Sequence, residues 1–357
     1  MKPTNHSKVV LQVLLMIALA TPMVAQSVSV FATGLNNPRG LKFGPDGFLY
    51  VAEGGTAGTL STVGTCTQVV APIGPYTGGF TGRISKISSA GAVTTVADNL
   101  PSSSTAPTQG SLISGVADVA FIGDTLYAIT SGAGCSHGLA GTDNGVLRVN
   151  SDGTTTMVAD LSVFQKGHKV LNYQPDDFEP DGTWYSMIAL NGTLYAIEPN
   201  HGELDAINTN GIIRRVTDIS STQGHIVPTA LAFDGTNFKV GNLDLFPIRD
   251  GSSKVMTITP TGSLTTTTIN LTIIVGLAYD SRGRLYVLEN TTGNPFPTPG
   301  TGRIVRIDAK YVQTVIATGL SLPTAMTYGP DGNLYVSNNG FGFPAGQGQI
   351  LKVTLVK

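Results

Sequence analysis

Three glutamates recur at one position of a repeated phrase, and they are the first residues in this sequence that could do chemistry. Glu53 ends Leu-Tyr-Val-Ala-Glu, Glu198 ends Leu-Tyr-Ala-Ile-Glu and Glu289 ends Leu-Tyr-Val-Leu-Glu. Asn242 and Asn338 hold the same place in two further copies. If these side chains converged, their oxygens could bind a divalent cation such as Ca²⁺ or Mg²⁺. Polar residues at strand ends also cap the following turn, and we favour this structural role.

Histidines and acids form a second candidate group. They lie between the predicted strands of the second to fourth repeats, at His137, His168, His201, His225, Asp176, Asp177, Glu179 and Asp181. One interpretation is an acid–base or metal cluster, because histidine titrates near neutral pH and carboxylates can exchange protons with it. The sequence has no spacing typical of a metal site, so we favour solvated loop residues.

A repeated phrase determines the architecture that positions these residues. It consists of a turn, then Leu-Tyr or a close variant, then apolar residues, and its six copies lie at 44–53, 123–132, 191–200, 234–242, 280–290 and 329–339. An apolar strand precedes the phrase, and a third and a fourth strand follow it. Six units of four short strands joined by Asp-Gly-type turns predict an all-β fold, a six-bladed β-propeller with four-stranded antiparallel blades.

The N-terminal segment is predicted to close the ring. The sixth unit ends at the C-terminus without a fourth strand. Residues 27–35, SVSVFATGL, match the closing strand of the fifth unit, QTVIATGL at 313–320. We therefore expect residues 27–35 to complete the sixth blade, which removes two exposed sheet edges. Residues 26–357 then form a single propeller domain.

The long insertions are predicted to gather on one face of the propeller, here called the top face. They lie between second and third strands, at 54–81, 131–144, 242–253, 290–301 and 339–347. Loops on a rigid scaffold often carry binding sites. The top-face candidates for binding are Arg39, Glu198, His201, Asn242 and Asn338.

Two cysteines occupy insertions of neighbouring units. Cys66 and Cys135 are the only cysteines in the sequence. In an exported protein this arrangement favours a disulfide bond between them.

The first 25 residues have the pattern of a secretory signal peptide. Lys2 and Lys8 precede an apolar run from Val9 to Ala20, and small residues follow it up to Ala25. We expect a secreted or periplasmic protein with no membrane span after signal removal, because later segments are too short or too polar to cross a bilayer.

The charge of the chain argues against nucleic acid as a partner. Removal of the leader leaves 19 basic and 23 acidic residues, a net charge of −4, and there is no basic patch that could follow a phosphate backbone. We expect a monomer that binds an unknown protein or small-molecule ligand.

Four long segments resemble the ScyD/ScyE family. They are ATGLNNPRGLKFGPDGFLYVAEGG near the start, EPDGTWYSMIALNGTLYAIEPNHGELDAI in the middle, and PTALAFDGTNFKVGNLDLFP followed by GLAYDSRGRLYVLEN. This family consists of exported bacterial NHL-like propellers, named after members encoded beside genes for scytonemin biosynthesis. The resemblance implies the fold and export, and it brings no established catalytic activity.

Enzymes of related fold provide a further comparison. In gluconolactonase-like hydrolases, acids and amides at the start of inner strands hold the metal. The matching positions here carry neither carboxylate nor amide, and they are Arg39, Ala117, Ser186, Thr229, Val275 and Thr324. Virginiamycin-B-lyase-like propellers pair a glutamate at the end of a second strand with a nearby histidine. Glu198 and His201 resemble this pair, but the number of residues between them differs.

Our leading hypothesis is a non-catalytic exported protein that binds through its top face. The alternative is a metal-assisted hydrolase or lyase with its site at the top of the central channel.

Overall fold

The structure, a computed structural model, describes residues 26–110, 112–175 and 178–356. The predicted signal peptide, residues 1–25, lies outside the described residues, as do Asp176 and Asp177. The described residues form six antiparallel sheets, five with four strands and one with five. This arrangement confirms the all-β six-bladed propeller.

Each blade is numbered by its first strand along the chain. The strands of blades 1 to 3 are Pro38–Phe43, Leu49–Glu53, Thr77–Ile87, Val93–Ser104 and Ile113–Ser114 in blade 1; Val116–Ile122, Thr125–Thr130, Gly145–Val149 and Thr155–Asp160 in blade 2; and Ser186–Leu190, Thr193–Glu198, Glu203–Asn208 and Ile213–Asp218 in blade 3. The strands of blades 4 to 6 are Pro228–Phe233, Phe238–Asn242, Ser253–Ile258 and Leu264–Leu271 in blade 4; Ile274–Tyr279, Leu285–Glu289, Gly302–Ile307 and Gln313–Leu320 in blade 5; and Ala325–Tyr328, Leu334–Asn338, Gly348–Val353 and Val28–Leu35 in blade 6.

Short helical segments occur only in connections within the described ranges. They are the α-helices Leu161–Gly167 and Ser220–Gln223 and the 3₁₀ turns Pro107–Gln109, Cys135–His137 and Ala309–Tyr311. Asp160 directly precedes the first helix and caps it, because its carboxylate accepts the Val163 N–H.

The N-terminal strand closes the ring as predicted. Val28 pairs with Val353 and Leu35 pairs with Gly348, so the strand Val28–Leu35 supplies the outer edge of blade 6. Two residues of this strand, Ala32 and Leu35, are buried in the core. The two ends of the chain are thereby joined through backbone hydrogen bonds.

Blade 1 departs from the repeat. Its third strand begins at Thr77 rather than near residue 82, and Gly78 and Gly79 pair with Ser103 and Ser102. A short fifth strand, Ile113–Ser114, follows at the outer edge. The repeated phrase did not predict this extension, because the extra pairing uses glycines and serines that have no apolar pattern.

A β-bulge recurs in the fourth strand of every blade. The residues skipped by the ladder are Phe31, Val96, Val158, Val216, Thr267 and Ile316. A bulge leaves its residue unpaired and increases the local twist of the strand. For Phe31, Val96, Val158 and Val216, the carbonyl oxygen lies against a glycine in the turn of the next blade.

Candidate ligand site at the mouth of the central channel

Six first strands surround the central channel. Each of them contacts the first strands of both neighbouring blades, so they form a closed ring. Arg39 lies near the start of the first strand of blade 1, and Tyr185 and Thr324 come directly before the first strands of blades 3 and 6. These three residues therefore lie at the same end of the channel, the end that faces the top loops.

Tyr185 spans the channel. Its hydroxyl donates a hydrogen bond of 2.8 Å to the carbonyl oxygen of Thr324, which belongs to the blade opposite. The Thr324 hydroxyl donates to the Pro38 carbonyl oxygen at 2.6 Å and so connects blade 6 to blade 1. Burial raises the pKa of Tyr185 to about 12, so the hydroxyl keeps its proton at neutral pH.

Arg39 lies beside Tyr185 and has no acidic partner. Its guanidinium donates to the carbonyl oxygen of Ile113 and interacts with the Tyr185 hydroxyl. Among the described residues no carboxylate lies within ion-pair distance of it. Burial lowers the pKa of Arg39, and Tyr185 partly opposes that effect. Arg39 is half-buried, so part of its guanidinium is accessible at the channel mouth. A guanidinium without a carboxylate partner can bind carboxylates and other anions through charge-assisted hydrogen bonds.

Asp118 fixes the wall of the channel below this group. Its two oxygens accept the N–H groups of Val119 and Met187, each at 2.8 Å, and so link blade 2 to blade 3. Burial raises the pKa of this carboxyl, and the charge of Lys42 opposes the shift. Gly40 is required here, because a Cβ atom on it would lie 1.9 Å from the Asp118 carboxylate.

The three glutamates of the predicted ring each have partners in their own blade. Glu53 accepts two hydrogen bonds of 2.8 Å from Arg83 and one of 2.7 Å from the backbone N–H of Asn36. Glu289 pairs in the same way with Arg303 and with the N–H of Thr272. Both carboxylates are fully buried. They hold the segment that enters the blade.

Glu198 differs because it lacks an arginine. It accepts the backbone N–H of Thr183 at 2.9 Å and that of His201 at 2.5 Å. The structure therefore places the glutamates in three separate blades. Within residues 26–110, 112–175 and 178–356, no three acids, histidines or cysteines are grouped as metal ligands would be.

Asn242 and Asn338 take the same capping role. The Asn242 amide donates to the Ile226 carbonyl oxygen at 3.0 Å and accepts the Lys254 N–H at 2.8 Å. Asn338 accepts the N–H of Ser321 at 2.8 Å. In five of the six blades the repeated polar position thus fastens the start of the blade to the end of its second strand, whereas Thr130 of blade 2 bonds to Gly145 of the third strand.

The histidine group divides into separate environments. His137 is fully buried, its Nδ1 lies 2.9 Å from the Ser103 hydroxyl, and its Nε2 lies 3.5 Å from Glu179. Burial lowers the pKa of His137 to about 4, so the ring is neutral at pH 7. Ser103 is also fully buried, which keeps this serine–histidine–glutamate contact away from solvent. The sequence did not single out Ser103, because it lies in the extended strand of blade 1.

Other members of the group have structural partners. Asp181 accepts the Ser136 N–H at 2.7 Å and the Lys166 ammonium at 2.5 Å. His201 stacks on Phe178 with 4.9 Å between ring centroids, and burial lowers its pKa. His168 lies apart from Asp181 and His201. Its ring stacks on Phe164 at the surface.

The predicted disulfide is confirmed. Cys66 and Cys135 are bonded, with 6.3 Å between their Cα atoms. The bond ties the long insertion of blade 1 to the insertion of blade 2, immediately before His137.

A buried acidic pair in blade 3 was not foreseen. Glu203 pairs with Arg215 and accepts a hydrogen bond of 3.0 Å from Gln165. Burial raises the pKa of Glu203 to about 7. Burial, and then the charge of Glu203, raise the pKa of Asp205 well above its usual range. Alternation of strand residues placed these acids on a buried face, but nothing in their types indicated burial.

None of the helices within the described ranges is long and apolar enough to cross a membrane.

No protein-family model matches the sequence, and no curated protein matches it. The resemblance to the ScyD/ScyE family stays a prediction.

The fold is similar to solved six-bladed propellers of the NHL and SMP-30 type. A protein of unknown function from Bacteroides thetaiotaomicron is 13% identical over 92% of this chain and 76% of its own, with a TM-score of 0.59. A putative oxidoreductase (glucose dehydrogenase) from Thermus thermophilus is 16% identical over 92% of this chain and 100% of its own, with a TM-score of 0.58. A gluconolactonase from Xanthomonas campestris is 10% identical over 92% of this chain and 90% of its own, with a TM-score of 0.54. At these identities the likeness extends to the fold alone.

Proposed function

We propose that this chain is an exported binding protein that takes a small carboxylate-bearing ligand at the top of its central channel. The observation that carries the proposal is the state of Arg39, a half-buried guanidinium at the channel mouth without an acidic partner among the described residues. An anion placed against it would gain charge-assisted hydrogen bonds at a position partly shielded from water. The Tyr185 hydroxyl donates to Thr324 and its oxygen accepts from the guanidinium, so Tyr185 holds Arg39 in place at the channel mouth.

The carboxylates of the blades support binding rather than catalysis as the leading role. Glu53 and Glu289 are held by arginines, and Glu198 is held by two backbone N–H groups. Each of these groups would have to give up buried partners before it could act on a substrate, which is costly for a charged group.

Thermal unfolding in the presence of small acids tests the proposal. The probes are citrate, succinate and benzoate, each beside its neutral amide. A ligand at a hundred times its dissociation constant stabilises the native state by about 2.7 kcal/mol. We expect at least one acid to stabilise the protein, its amide to do so less, and Arg39→Met to remove the effect.

Arg148→Met is the matched control. Arg148 is an exposed arginine on the outer part of blade 2, bonded only to Asn150 in the described structure. Its replacement should leave the stabilisation intact. Equal stabilisation of the Arg39→Met variant, or no response to any of the acids, would contradict the proposal.

A metal-assisted hydrolase or lyase is the second candidate function. The observation that favours it is the acidic sector of blade 3, where Glu198 and Glu203 are cross-strand neighbours and burial raises the pKa of Glu203 to about 7. Strongly perturbed acids are common at catalytic sites. Elemental analysis of the purified protein distinguishes the two functions, because a stoichiometric divalent metal that is lost in Glu198→Gln would favour the enzyme.

A further inference from the structure

A groove of about 610 Å³ lies between blades 4 and 5 on the face opposite the top loops. Blade 4 contributes its first turn and its fourth strand to the wall, and blade 5 contributes the turn between its third and fourth strands. The charged and aromatic residues that line the groove are Asp234, Lys239, Tyr279, Asp308, Lys310 and Tyr311. This volume is in the range of small-molecule sites.

The cause of the groove is a break in the repeat. In blades 1 to 4 the turn between third and fourth strands has a glycine at one position, and the glycines are Gly91, Gly153, Gly211 and Gly262. In each turn the glycine N–H bonds to the carbonyl group three residues earlier. Tyr311 makes the same bond to Asp308 in blade 5, so it occupies the glycine position.

The glycines allow neighbouring blades to touch. A Cβ atom on Gly262 would lie 2.3 Å from the carbonyl oxygen of Val216, the bulged residue of the preceding blade. The corresponding distance is 2.4 Å from Gly211 to Val158 and 2.3 Å from Gly91 to Phe31. A residue with a Cβ atom cannot approach so closely, and the turn must move away from the bulge.

Tyr311 is such a residue. It adopts φ of 61° and the preceding Lys310 adopts φ of 58°, a backbone region that L-residues other than glycine occupy only with strain. The bulged residue opposite is Thr267, which lines the groove together with Tyr311. The strained turn at Tyr311 therefore leaves a space between blades 4 and 5. The corresponding turns of blades 1 to 4, which carry glycine, pack closely against the preceding blade.

The chemistry of the groove indicates its ligand. Two tyrosine rings line it, and the Tyr311 side chain is 59% exposed. Aromatic rings pack against the apolar face of a sugar ring, while carboxylate, amide and ammonium groups bond its hydroxyls. Both acids in the groove wall already form ion pairs: Asp234 lies 3.3 Å from Lys239, and Asp308 pairs with Arg306.

One positive charge is left over. Lys310 has no ion-pair or hydrogen-bond partner within the described part of the chain, and it lies at the rim of the groove. We propose that this groove binds a saccharide that carries a carboxylate, such as an oligomer of uronic acids, with Tyr311 against the sugar ring and Lys310 at the carboxylate.

Isothermal titration of the mature protein tests the proposal. The acidic probes are trisaccharides of galacturonate, mannuronate and glucuronate, and galactotriose is the neutral probe. We expect at least one acidic probe to bind and galactotriose to bind more weakly. Tyr311→Gly should reduce the affinity at least tenfold, because glycine lets blades 4 and 5 close. Lys310→Ala should weaken the acidic probe about two- to fivefold, as for an exposed ion pair.

Two controls keep the outcomes distinct. Asn210→Ala changes the equivalent exposed position in the turn of blade 3 and should not alter binding. Arg39→Met, which tests the channel site, should also leave binding in the groove unchanged. Failure of all three acidic probes, equal affinity for galactotriose, or full affinity in a well-folded Tyr311→Gly variant would overturn the proposal.

Discussion

Replacement of Arg83 by methionine tests whether Glu53 is held for the fold or is available to a cation. The Glu53 carboxylate is fully buried and receives two bonds of 2.8 Å from Arg83, one of 2.7 Å from the Asn36 N–H and one of 2.5 Å from the Ser85 hydroxyl. Methionine preserves most of the volume of the arginine stem. It removes both charge-assisted bonds and leaves a buried carboxylate with neutral donors only.

The structure sets the size of the expected loss. Removal of one partner from a buried ion pair costs about 3–5 kcal/mol of unfolding free energy, because the other charge stays buried. The Arg83 side chain is 26% exposed, so solvent already screens part of the pair and the lower end of that range applies. We expect about 3 kcal/mol for Arg83→Met.

The double variant provides the decisive comparison. When Glu53→Gln is added to Arg83→Met, the buried charge is gone while an amide oxygen can still accept the Asn36 N–H. We expect the double variant to be at least about 1 kcal/mol more stable than Arg83→Met alone, since an uncharged polar group is cheaper to bury than an unpaired charge. Arg303→Met with Glu289→Gln is a comparable pair in blade 5, where the arginine and the backbone N–H recur and Val305 takes the place of Ser85.

Urea unfolding followed by circular dichroism measures these differences, with excess EDTA and again with millimolar Ca²⁺. If Glu53 serves the fold, the order of stabilities is the same in both solutions. The reasoning is refuted if Arg83→Met unfolds like the parent, or if Ca²⁺ stabilises the parent strongly and Glu53→Gln abolishes that response.

Three further outcomes follow from the structure. Deletion of Val28–Leu35 should leave an insoluble or much less stable protein, because it exposes the third strand of blade 6 as an edge; unchanged melting would contradict the closure. Replacement of Cys66 and Cys135 by serine should lower the unfolding free energy by up to about 4 kcal/mol, as the chain-entropy model gives for a sequence separation of 69 residues; equal urea midpoints would contradict this. The pKa of Glu203 is raised to about 7, so its protonated form stabilises the fold fully below the unfolded value near 4.5. That stability, on the order of 3 kcal/mol, is lost as pH rises to about 7, and Glu203→Gln should flatten the urea midpoints measured between pH 5 and 8.

Much of the fold could be predicted because it repeats. Six copies of one phrase predicted six sheets, and the match between residues 27–35 and 313–320 predicted the closure. The pairing of Cys66 with Cys135 could be predicted because both fall in neighbouring insertions. The extra strand Ile113–Ser114 could not be predicted, because a strand of only two paired residues leaves no pattern in the sequence.

The candidate site was harder to predict because its contacts cross the ring. Tyr185 contacts Thr324, a residue 139 positions away, and no local sequence pattern predicts that contact. Arg39 was selected by its position at the start of an inner strand, and the lack of an acidic partner became visible only in three dimensions. Glu53, Glu198 and Glu289 were conspicuous in the sequence, yet they are engaged in capping.

This contrast has a physical cause. A polar residue that recurs at one position of several blades meets similar surroundings in each of them, so its contribution is to build a blade, as the capping oxygens of Glu289 and Asn338 do. A binding site in a ring of similar blades needs asymmetry, and asymmetry comes from positions that break the repeat. Arg39 has no arginine counterpart in the other five inner strands, and Tyr311 stands where four other turns have glycine. Each of these departures carries a cost, the partial burial of a cation without an acidic partner in one case and left-handed backbone in the other. In a repeat protein, a costly exception to the pattern is therefore better evidence of a site than a polar residue that obeys it.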